Sequence, residues 1–496
     1  MSIIKVENLT FSYPSGAENI FENVNFHIDT NWKLGFIGRN GRGKTTFLKL
    51  LMGEYEYSGN IISSVEFEYF PYPAADKRRM TEDILSEICP EAEQWEIMRE
   101  LALLDMEPEI LWRPFETLSN GERTKALLSV MFLKNGGFPL IDEPTNHLDS
   151  AARATVAAYL KRKKGFILVS HDRSFLDGCV DHILAINRAD IEIQSGNFSS
   201  WMMNFERRQQ MEESRNERLK KDINRLKESA ARASRWSDRT ERGKYGQGPV
   251  DRGYVGHKSA KMMKRSKSIE ARRSQAAEVR EGLLKNAETA EELKITTLRH
   301  HSERLAEFSE VSVAYGRNTV CEPVSFTLRE GERIALTGRN GSGKSSMLKA
   351  LLGQDIKYSG EIKTASGIVI SYVPQDTSFL KGSLPEFAEE NGIDESLFKT
   401  ILRKMGFERE QFGRNMDSFS EGQKKKTLIA ASLCRPAHIY VWDEPLNFID
   451  VFSRMQIEEL IKEFQPTMLF VEHDEAFRRN TATKEVELRR IWSSNR

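Results

Sequence analysis

Six short apolar runs punctuate the chain: Leu34 to Ile37, Phe138 to Ile141 and Gly165 to Val169 early, then Ile334 to Leu336, Ile439 to Trp442 and Met468 to Val471. They are too short for helices and do not alternate with polar residues, which predicts strands buried on both faces. Helical stretches alternate with them, the pattern of an α/β fold with a mostly parallel sheet. Lys44 to Leu51 and Lys344 to Leu352 are predicted helices that continue directly from glycine-rich loops. Between the two groups the period changes. Leu219, Ile223, Leu226, Ala230 and Ala233 recur at three- and four-residue spacing, and Ile269, Ala276, Val279 and Leu283 do so again. Gly243 to Gly256, with five glycines and one proline, interrupts them. The pattern predicts two long antiparallel helices sharing a narrow apolar seam, with an irregular tip at about 242–256. About 35 residues per helix at 1.5 Å rise gives an arm of roughly 50 Å. A disordered linker is the alternative, and the stripe argues against it.

The two groups of strands belong to an internal repeat. GRNGRGKT at Gly38 to Thr45 returns as GRNGSGKS at Gly338 to Ser345, and LSNGE at Leu118 to Glu122 as FSEGQ at Phe419 to Gln423. PLIDEPTNHLD, ending at Asp149, returns as YVWDEPLNFID, ending at Asp450, and SHD at Ser170 to Asp172 as EHD at Glu472 to Asp474. Four motifs in one order, at offsets of 300 to 302 residues, mark a duplicated domain. The expected division is 1–200, 201–300 and 301–496.

Composition changes this picture only once charge is mapped. The 496 residues carry 73 Lys+Arg and 73 Asp+Glu, a net of zero that by itself argues against a polyanionic partner. From Arg215 to Arg273, however, 19 basic residues face 7 acidic ones, a net of +12, so the remainder is −12. The arm is the basic element. No apolar run approaches the ~18 residues of a membrane span, and Met1 to Thr10 lacks a signal-peptide pattern. Cys89, Cys179, Cys321 and Cys434 form no CxxC pair and are expected to be free thiols in a reducing cytosol.

A GxxxxGK[ST] loop between strand and helix is a phosphate cradle, because its glycines let backbone N–H groups face the β- and γ-phosphates. The candidates are Gly38, Asn40, Gly41, Gly43, Lys44, Thr45 and Thr46 in the first copy. In the second they are Gly338, Asn340, Gly341, Gly343, Lys344, Ser345 and Ser346. The lysines neutralise phosphate charge, and Thr45 and Ser345 supply hydroxyls to Mg²⁺. Asp142 and Asp443, ending an apolar strand, hold the metal's water shell. Glu143 and Glu444 follow, placed to polarise the attacking water, while His171 and His473 face the γ-phosphate. Ser119-x-Gly121 and Ser420-x-Gly422 at helix starts present a hydroxyl and N–H groups to an anion.

Together these motifs resemble the ATP-binding cassette superfamily. The resemblance implies a head-to-tail sandwich binding two ATP and Mg²⁺. Site one would join Lys44, Thr45, Asp142, Glu143 and His171 to Ser420 and Gly422. Site two would join Lys344, Ser345, Asp443, Glu444 and His473 to Ser119 and Gly121. Tyr13 and Tyr315 stand where the family places an adenine-stacking aromatic; a core aromatic is the other reading. The family's metal-binding glutamine is Gln375, but the first copy has Tyr72 there. A phenol cannot reproduce the amide's contacts with metal and water, so site one is expected to differ in metal geometry or turnover. Both glutamates survive, so neither site reads as dead.

Twin cassettes without a membrane segment, joined by so long an arm, look like the ABC-F group, soluble ATPases whose linker enters the ribosome through the tRNA exit site. TNWKLGFIGRNGRGKTT, EILWRPFETLS, FPLIDEPTNHLD, MKRSKSI and WDEPLNFIDVF are similar to the Lsa-type resistance proteins, which protect the large subunit from lincosamides, streptogramin A compounds and pleuromutilins. This implies a cytoplasmic monomer acting on the 70S ribosome, its rRNA and the P-site tRNA. A basic hairpin suits RNA phosphates. The candidate contacts are Arg232, Arg235, Arg239, Lys244, Lys261, Lys264, Arg265 and Lys267, with Tyr245, Tyr254 and Trp236 placed to stack on bases. A housekeeping ABC-F translation factor acting on stalled ribosomes without a drug stays open. So do a transporter ATPase with a separate membrane partner and a protein-binding coiled coil.

Overall fold

Both copies put their apolar runs at the centre of a sheet. In a computed structural model that describes residues 2–14, 19–73, 76–134, 136–146, 148–186, 191–242, 293–315 and 318–491, the first copy begins β1 (Ile3–Phe11), β2 (Phe21–Asp29), β3 (Lys33–Gly38), α1 (Lys44–Leu51), β4 (Ser58–Ile62) and β5 (Glu66–Phe70). Three helices follow, α2 (Thr81–Ile88), α3 (Gln94–Leu103) and α4 (Asn120–Met131). The copy then closes with β6 (Gly137–Asp142), α5 (Ser150–Arg162), β7 (Phe166–Val169), α6 (Arg173–Cys179), β8 (His182–Ile186) and β9 (Ile191–Ser195). Strand order is β5-β6-β7-β3-β8-β9, parallel except for the β8–β9 pair. Every residue of β7 is buried, as a central strand covered on both faces requires.

After α7 (Phe198–Arg242), the second copy runs β10 (Arg304–Tyr315), β11 (Asn318–Thr319), β12 (Val324–Arg329), β13 (Arg333–Thr337), α8 (Lys344–Leu351), β14 (Lys357–Thr364) and β15 (Ile370–Val373). It continues through α9 (Leu384–Glu390), α10 (Glu395–Lys404), α11 (Glu421–Cys434), β16 (Ile439–Asp443), α12 (Val451–Phe464), β17 (Met468–Val471), α13 (Glu475–Thr481) and β18 (Lys484–Glu487). Its central sheet, β15-β16-β17-β13-β18, is parallel throughout. The predicted α/β class and all six predicted strands are present.

Each copy also carries an antiparallel sheet that the apolar pattern did not reveal: β2-β1-β4 in the first, β11-β10-β12 with β14 on β10 in the second. In β14 seven of the eight residues are exposed, so its sequence KYSGEIKT carries no strand periodicity.

The chain divides into two compact units, Met1–Trp201 with Ala290–Arg496, and Met202–Thr289. In the first unit the chain rejoins the second copy as a strap. Leu293 and Ile295 join the core cluster that also holds Phe398 and Trp442, Leu298 N donates to Ala437 O at 2.9 Å, and Tyr440 OH donates to Thr296 O at 2.9 Å.

In the second unit α7 shows a line of less exposed positions: Met202, Phe205, Gln209, Glu212, Asn216, Leu219 and Ile223. The spacing of three and four is that of a helix–helix seam, and it extends the predicted stripe towards the N-terminus through polar residues. That is why apolar periodicity alone missed it. Exposed positions on the opposite face are Arg207, Met211, Ser214, Arg218, Lys221 and Arg225, with four cations and no acid. The predicted tip and return helix lie outside the described residues.

Candidate functional site

The parallel sheets deliver both phosphate loops in the same way. β3 and β13 end in glycine-rich turns whose last glycines, Gly43 and Gly343, take φ of 88° and 90° and start α1 and α8. Only glycine accepts this left-handed turn without strain, and the turn points the first helical N–H groups at one place. Lys44 Nζ folds back to donate to Gly38 O at 2.7 Å and Arg39 O at 3.2 Å; Lys344 Nζ makes the same bonds at 2.9 and 3.1 Å. Burial pulls both lysines below their ordinary pKa.

Each loop is tied to the acidic end of the neighbouring strand. Thr45 Oγ1 donates to Asp142 Oδ2 at 2.9 Å, and Ser345 Oγ to Asp443 Oδ1 at 2.9 Å. Burial raises both aspartates, Asp443 to about 6. Asp443 Oδ2 is buried without a hydrogen-bond partner. A hard, oxygen-only pocket with an unsatisfied carboxylate oxygen beside a hydroxyl fits Mg²⁺ and its waters.

Glu143 and Glu444 sit in the left-handed region, φ 50° and 46°, with their N–H groups bonded to Val169 O and Val471 O at 2.9 Å. Strained backbone of this kind persists only where its surroundings over-determine it. His171 Nε2 lies 3.3 Å from Glu143 Oε1 and His473 Nε2 lies 3.3 Å from Glu444 Oε1. The structure thus assembles all the predicted strand-end and loop residues of each copy.

The two copies differ around this frame. Gln375 Nε2 donates to Glu444 Oε2 at 2.8 Å and Asn447 Nδ2 to the same oxygen at 2.6 Å. Tyr72 instead turns to Glu68, its OH donating to Oε2 at 3.2 Å, with Lys134 over its ring. The hydroxyl that reaches the strand-end aspartate is Tyr69, 3.0 Å from Asp142 Oδ2. Sequence reasoning missed Tyr69 because it reads as a strand residue, three positions before the one the family marks. The carboxyls diverge accordingly. Burial and the adjacent Asp142 push Glu143 up to about 8. Burial also opposes ionisation of Glu444, but His473, Lys344 and Asn447 outweigh it and bring Glu444 to about 2.

Ser119 and Ser420 are helix caps. Ser119 Oγ accepts from Glu122 N at 3.2 Å while Glu122 accepts from Ser119 N at 2.7 Å; Ser420 and Gln423 repeat this at 3.3 and 2.9 Å. Each capping box uses the serine oxygen as acceptor and leaves its proton to donate. Gly422 is buried against the first copy: a Cβ there would lie 2.6 Å from Asn40 Nδ2 and 2.4 Å from Phe448 O. Asn40 Nδ2 donates to that same Phe448 carbonyl at 2.7 Å. Across the other site, Asn340 N donates to Asp149 Oδ2 at 3.3 Å. Asp149, only the end of a repeat motif in the sequence, is therefore part of the inter-copy contact. Asp450 is fully buried, and Lys426 at 2.7 Å holds its carboxyl far below the usual range despite that burial.

Tyr13 OH is 2.8 Å from Thr46 Oγ1, and Tyr315 OH bonds Ser346 in the same way. Phe11 and Tyr55 both hold the Tyr13 ring edge-on, while Tyr315 is 57% exposed. The candidate platforms are thus linked to the loops they serve. Arg232, Arg235 and Arg239 fall on α7; Lys244, Tyr245, Tyr254, Lys261, Lys264, Arg265 and Lys267 lie outside the described residues.

Comparison with known proteins finds the ABC transporter family matching residues 21–146 and 321–447, about half the chain. The chain is 27% identical over 489 residues to the ribosome protection protein VmlR of Bacillus subtilis (strain 168), covering 96% of this chain and 85% of that protein. It is 25% identical over 485 residues to the ATP-binding protein Uup of Caulobacter vibrioides, covering 95% and 75%. Among solved structures, an archaeal ribosome recycling factor, aABCE1, crystallised with the stalk protein aP1, shares the fold with a TM-score of 0.63 at 21% identity, covering 97% and 87%. Among the described residues no helix is long and apolar enough to cross a membrane.

Proposed function

The chain belongs to the ABC transporter family through two nucleotide-binding domains and hydrolyses ATP, and from that premise we propose that it is an ABC-F protein of the Lsa type acting on the 70S ribosome. Its parts are cassettes at 1–200 and 301–496 and a basic arm at 201–300. The observation that carries the reading is the +12 segment from Arg215 to Arg273 set between two complete cassettes, in a chain that aligns over 96% of its length with a ribosome protection protein.

At each site the loop N–H groups and lysine bind the ATP phosphates, and Tyr13 or Tyr315 meets the adenine. Thr45 and Asp142, or Ser345, Asp443 and Gln375, would hold Mg²⁺, which would supply charge neutralisation to the phosphates. Glu143 and Glu444 polarise water for attack, and His171 and His473 orient the γ-phosphate. Ser420 and Gly422 complete site one, Ser119 and Gly121 site two. Two ATP molecules close the cassettes, and the arm enters the tRNA exit site with its tip, about 242–256, near the peptidyl-transferase region and the P-site tRNA. Lincosamide, streptogramin A and pleuromutilin drugs leave, and hydrolysis releases the protein into the cytoplasm.

The Glu143→Gln/Glu444→Gln double variant tests this: it is expected to co-sediment with ribosomes in ATP at low salt, and failure to pellet sinks the reading. Expression of the wild type is expected to raise resistance to the three drug classes. Ribosome binding without any change in susceptibility supports instead a housekeeping factor.

A further inference from the structure

Two side chains of the first copy grip the turn that carries His473 in the second. Ser150 Oγ, at the start of α5, donates to His473 O at 3.3 Å. Arg173, at the start of α6 and two residues after His171, reaches across to Glu458 on α12, and its Nη2 lies 3.7 Å from Asp474 Oδ1. Asp474 is fully buried and caps α13 by accepting from Phe477 N at 2.9 Å. It also receives Arg454 Nη1 at 2.9 Å, while Arg454 Nε donates to Ile449 O at 2.9 Å, one residue before the buried Asp450. One buried carboxylate therefore gathers an arginine from each copy immediately after the histidine.

The grip is not returned. Asp149 and Asp450 cap α5 and α12, so Ser150 and Val451 hold equivalent positions; Asp172 and Asp474 cap α6 and α13, so Arg173 and Glu475 do too. Val451 has no hydroxyl. Glu475 has the opposite charge and pairs with Arg479 on its own helix at 2.7 Å. The position equivalent to Glu458 is Ala157. What is symmetric is the internal link: Arg153 joins Leu148 O to Asp172 at 3.0 and 2.8 Å as Arg454 joins Ile449 O to Asp474. What is one-sided is the bond across the interface.

We propose that Ser150 and Arg173 are positioning residues for His473, so that turnover at the Glu444 site depends on these contacts from the first copy while turnover at the Glu143 site does not. Coupling of two sites requires an element that both bias, and the His473–Asp474 turn, bonded by both copies, is that element. The inference rests on the assignment of Glu444 and His473 to one hydrolytic site.

The test uses the full chain with one site silenced. In the Glu143→Gln background, Arg173→Met and Ser150→Ala are each expected to lower kcat for ATP about 10-fold, with KM changed less than about 2-fold and most of the rate restored in Arg173→Lys. In the Glu444→Gln background the same substitutions are expected to change kcat less than about 2-fold. Glu458→Gln, which removes the anchor of Arg173 from the second copy, is expected to give the same pattern without touching the segment after His171. Equal losses in both backgrounds, a loss confined to KM, or no loss in the Glu143→Gln background overturn the proposal. Turnover retained in the Glu143→Gln/Glu444→Gln double variant overturns instead the site assignment beneath it.

Discussion

The Tyr69 hydroxyl donates to Asp142 Oδ2 at 3.0 Å, the oxygen that also accepts from Thr45 Oγ1 at 2.9 Å. Both bonds favour the ionised carboxylate against the burial that raises its pKa. Removing one donor therefore raises that pKa further. In the Glu444→Gln background, where only the Glu143 carboxylate remains, Tyr69→Phe is expected to steepen the loss of ATPase activity on the acid side of the Glu143 limb, because Asp142 then takes up its proton at a higher pH. An acid side of unchanged steepness shows that the phenol does not tune Asp142.

Gln375 and Tyr72 occupy one position of the repeat but face different ways, one to Glu444 and the other to Glu68. A lost hydrogen bond to a charged group costs about 1.5–3 kcal/mol, or roughly 10- to 100-fold in rate if the bond is needed in the transition state. Gln375→Ala in the Glu143→Gln background is expected to lower kcat by about that factor. Tyr72→Ala in the Glu444→Gln background is expected to leave kcat within about 2-fold, because the side chain is already turned away. Single-site steady-state kinetics decide; a large loss in Tyr72→Ala means that the ring swings into the site during turnover.

Glu143 pushed up to about 8 and Glu444 brought down to about 2 make opposite statements about neutral pH. A base must be ionised to polarise water. Glu444 is ionised throughout the working range, whereas Glu143 loses its proton only as pH rises through about 8. The Glu143→Gln variant is expected to show a flat ATPase profile between about pH 6.5 and 8.5, and the Glu444→Gln variant a rate that climbs with pH, the activity being lost as pH falls below the Glu143 pKa. Parallel profiles contradict this difference between the sites.

The sequence announces the parts of the site whose chemistry demands a fixed residue at fixed spacing. Lys44, Thr45, Asp142, Glu143 and His171 and their partners in the second copy are legible because a phosphate cradle tolerates few substitutes. The central strands are legible because burial on both faces leaves an unbroken apolar run. Tyr69 is hidden because a strand tyrosine is ordinary, and only the direction in which Tyr72 turns gives it a role. Arg173, Ser150 and Glu458 are hidden for a different reason. Their partners lie about 300 residues away, and nothing local distinguishes a helix-start arginine that crosses an interface from one that faces water. The polar part of the α7 seam, Gln209, Glu212 and Asn216, breaks the hydrophobic pattern that would otherwise reveal it.

That seam also fixes which charges of α7 face outwards. With Phe205, Gln209, Glu212, Asn216, Leu219 and Ile223 on the less exposed side, Arg207, Arg218, Lys221 and Arg225 share the exposed one without an acid among them. Arg207, Arg215 and Arg218 line one groove with Gln210, Met211 and Ser214. If this face meets RNA phosphates, each cation displaces condensed counterions and contributes about 0.7–0.9 to the slope of log affinity against log salt. Arg218→Gln/Lys221→Gln/Arg225→Gln, placed in the Glu143→Gln/Glu444→Gln background so that ATP is not consumed, is expected to lower that slope by about 2 in ribosome co-sedimentation. ATP-dependent closure of the cassettes is expected to be unaffected, since the three side chains lie outside both sites. Weaker binding with an unchanged slope means that these residues support the helix rather than contact phosphate.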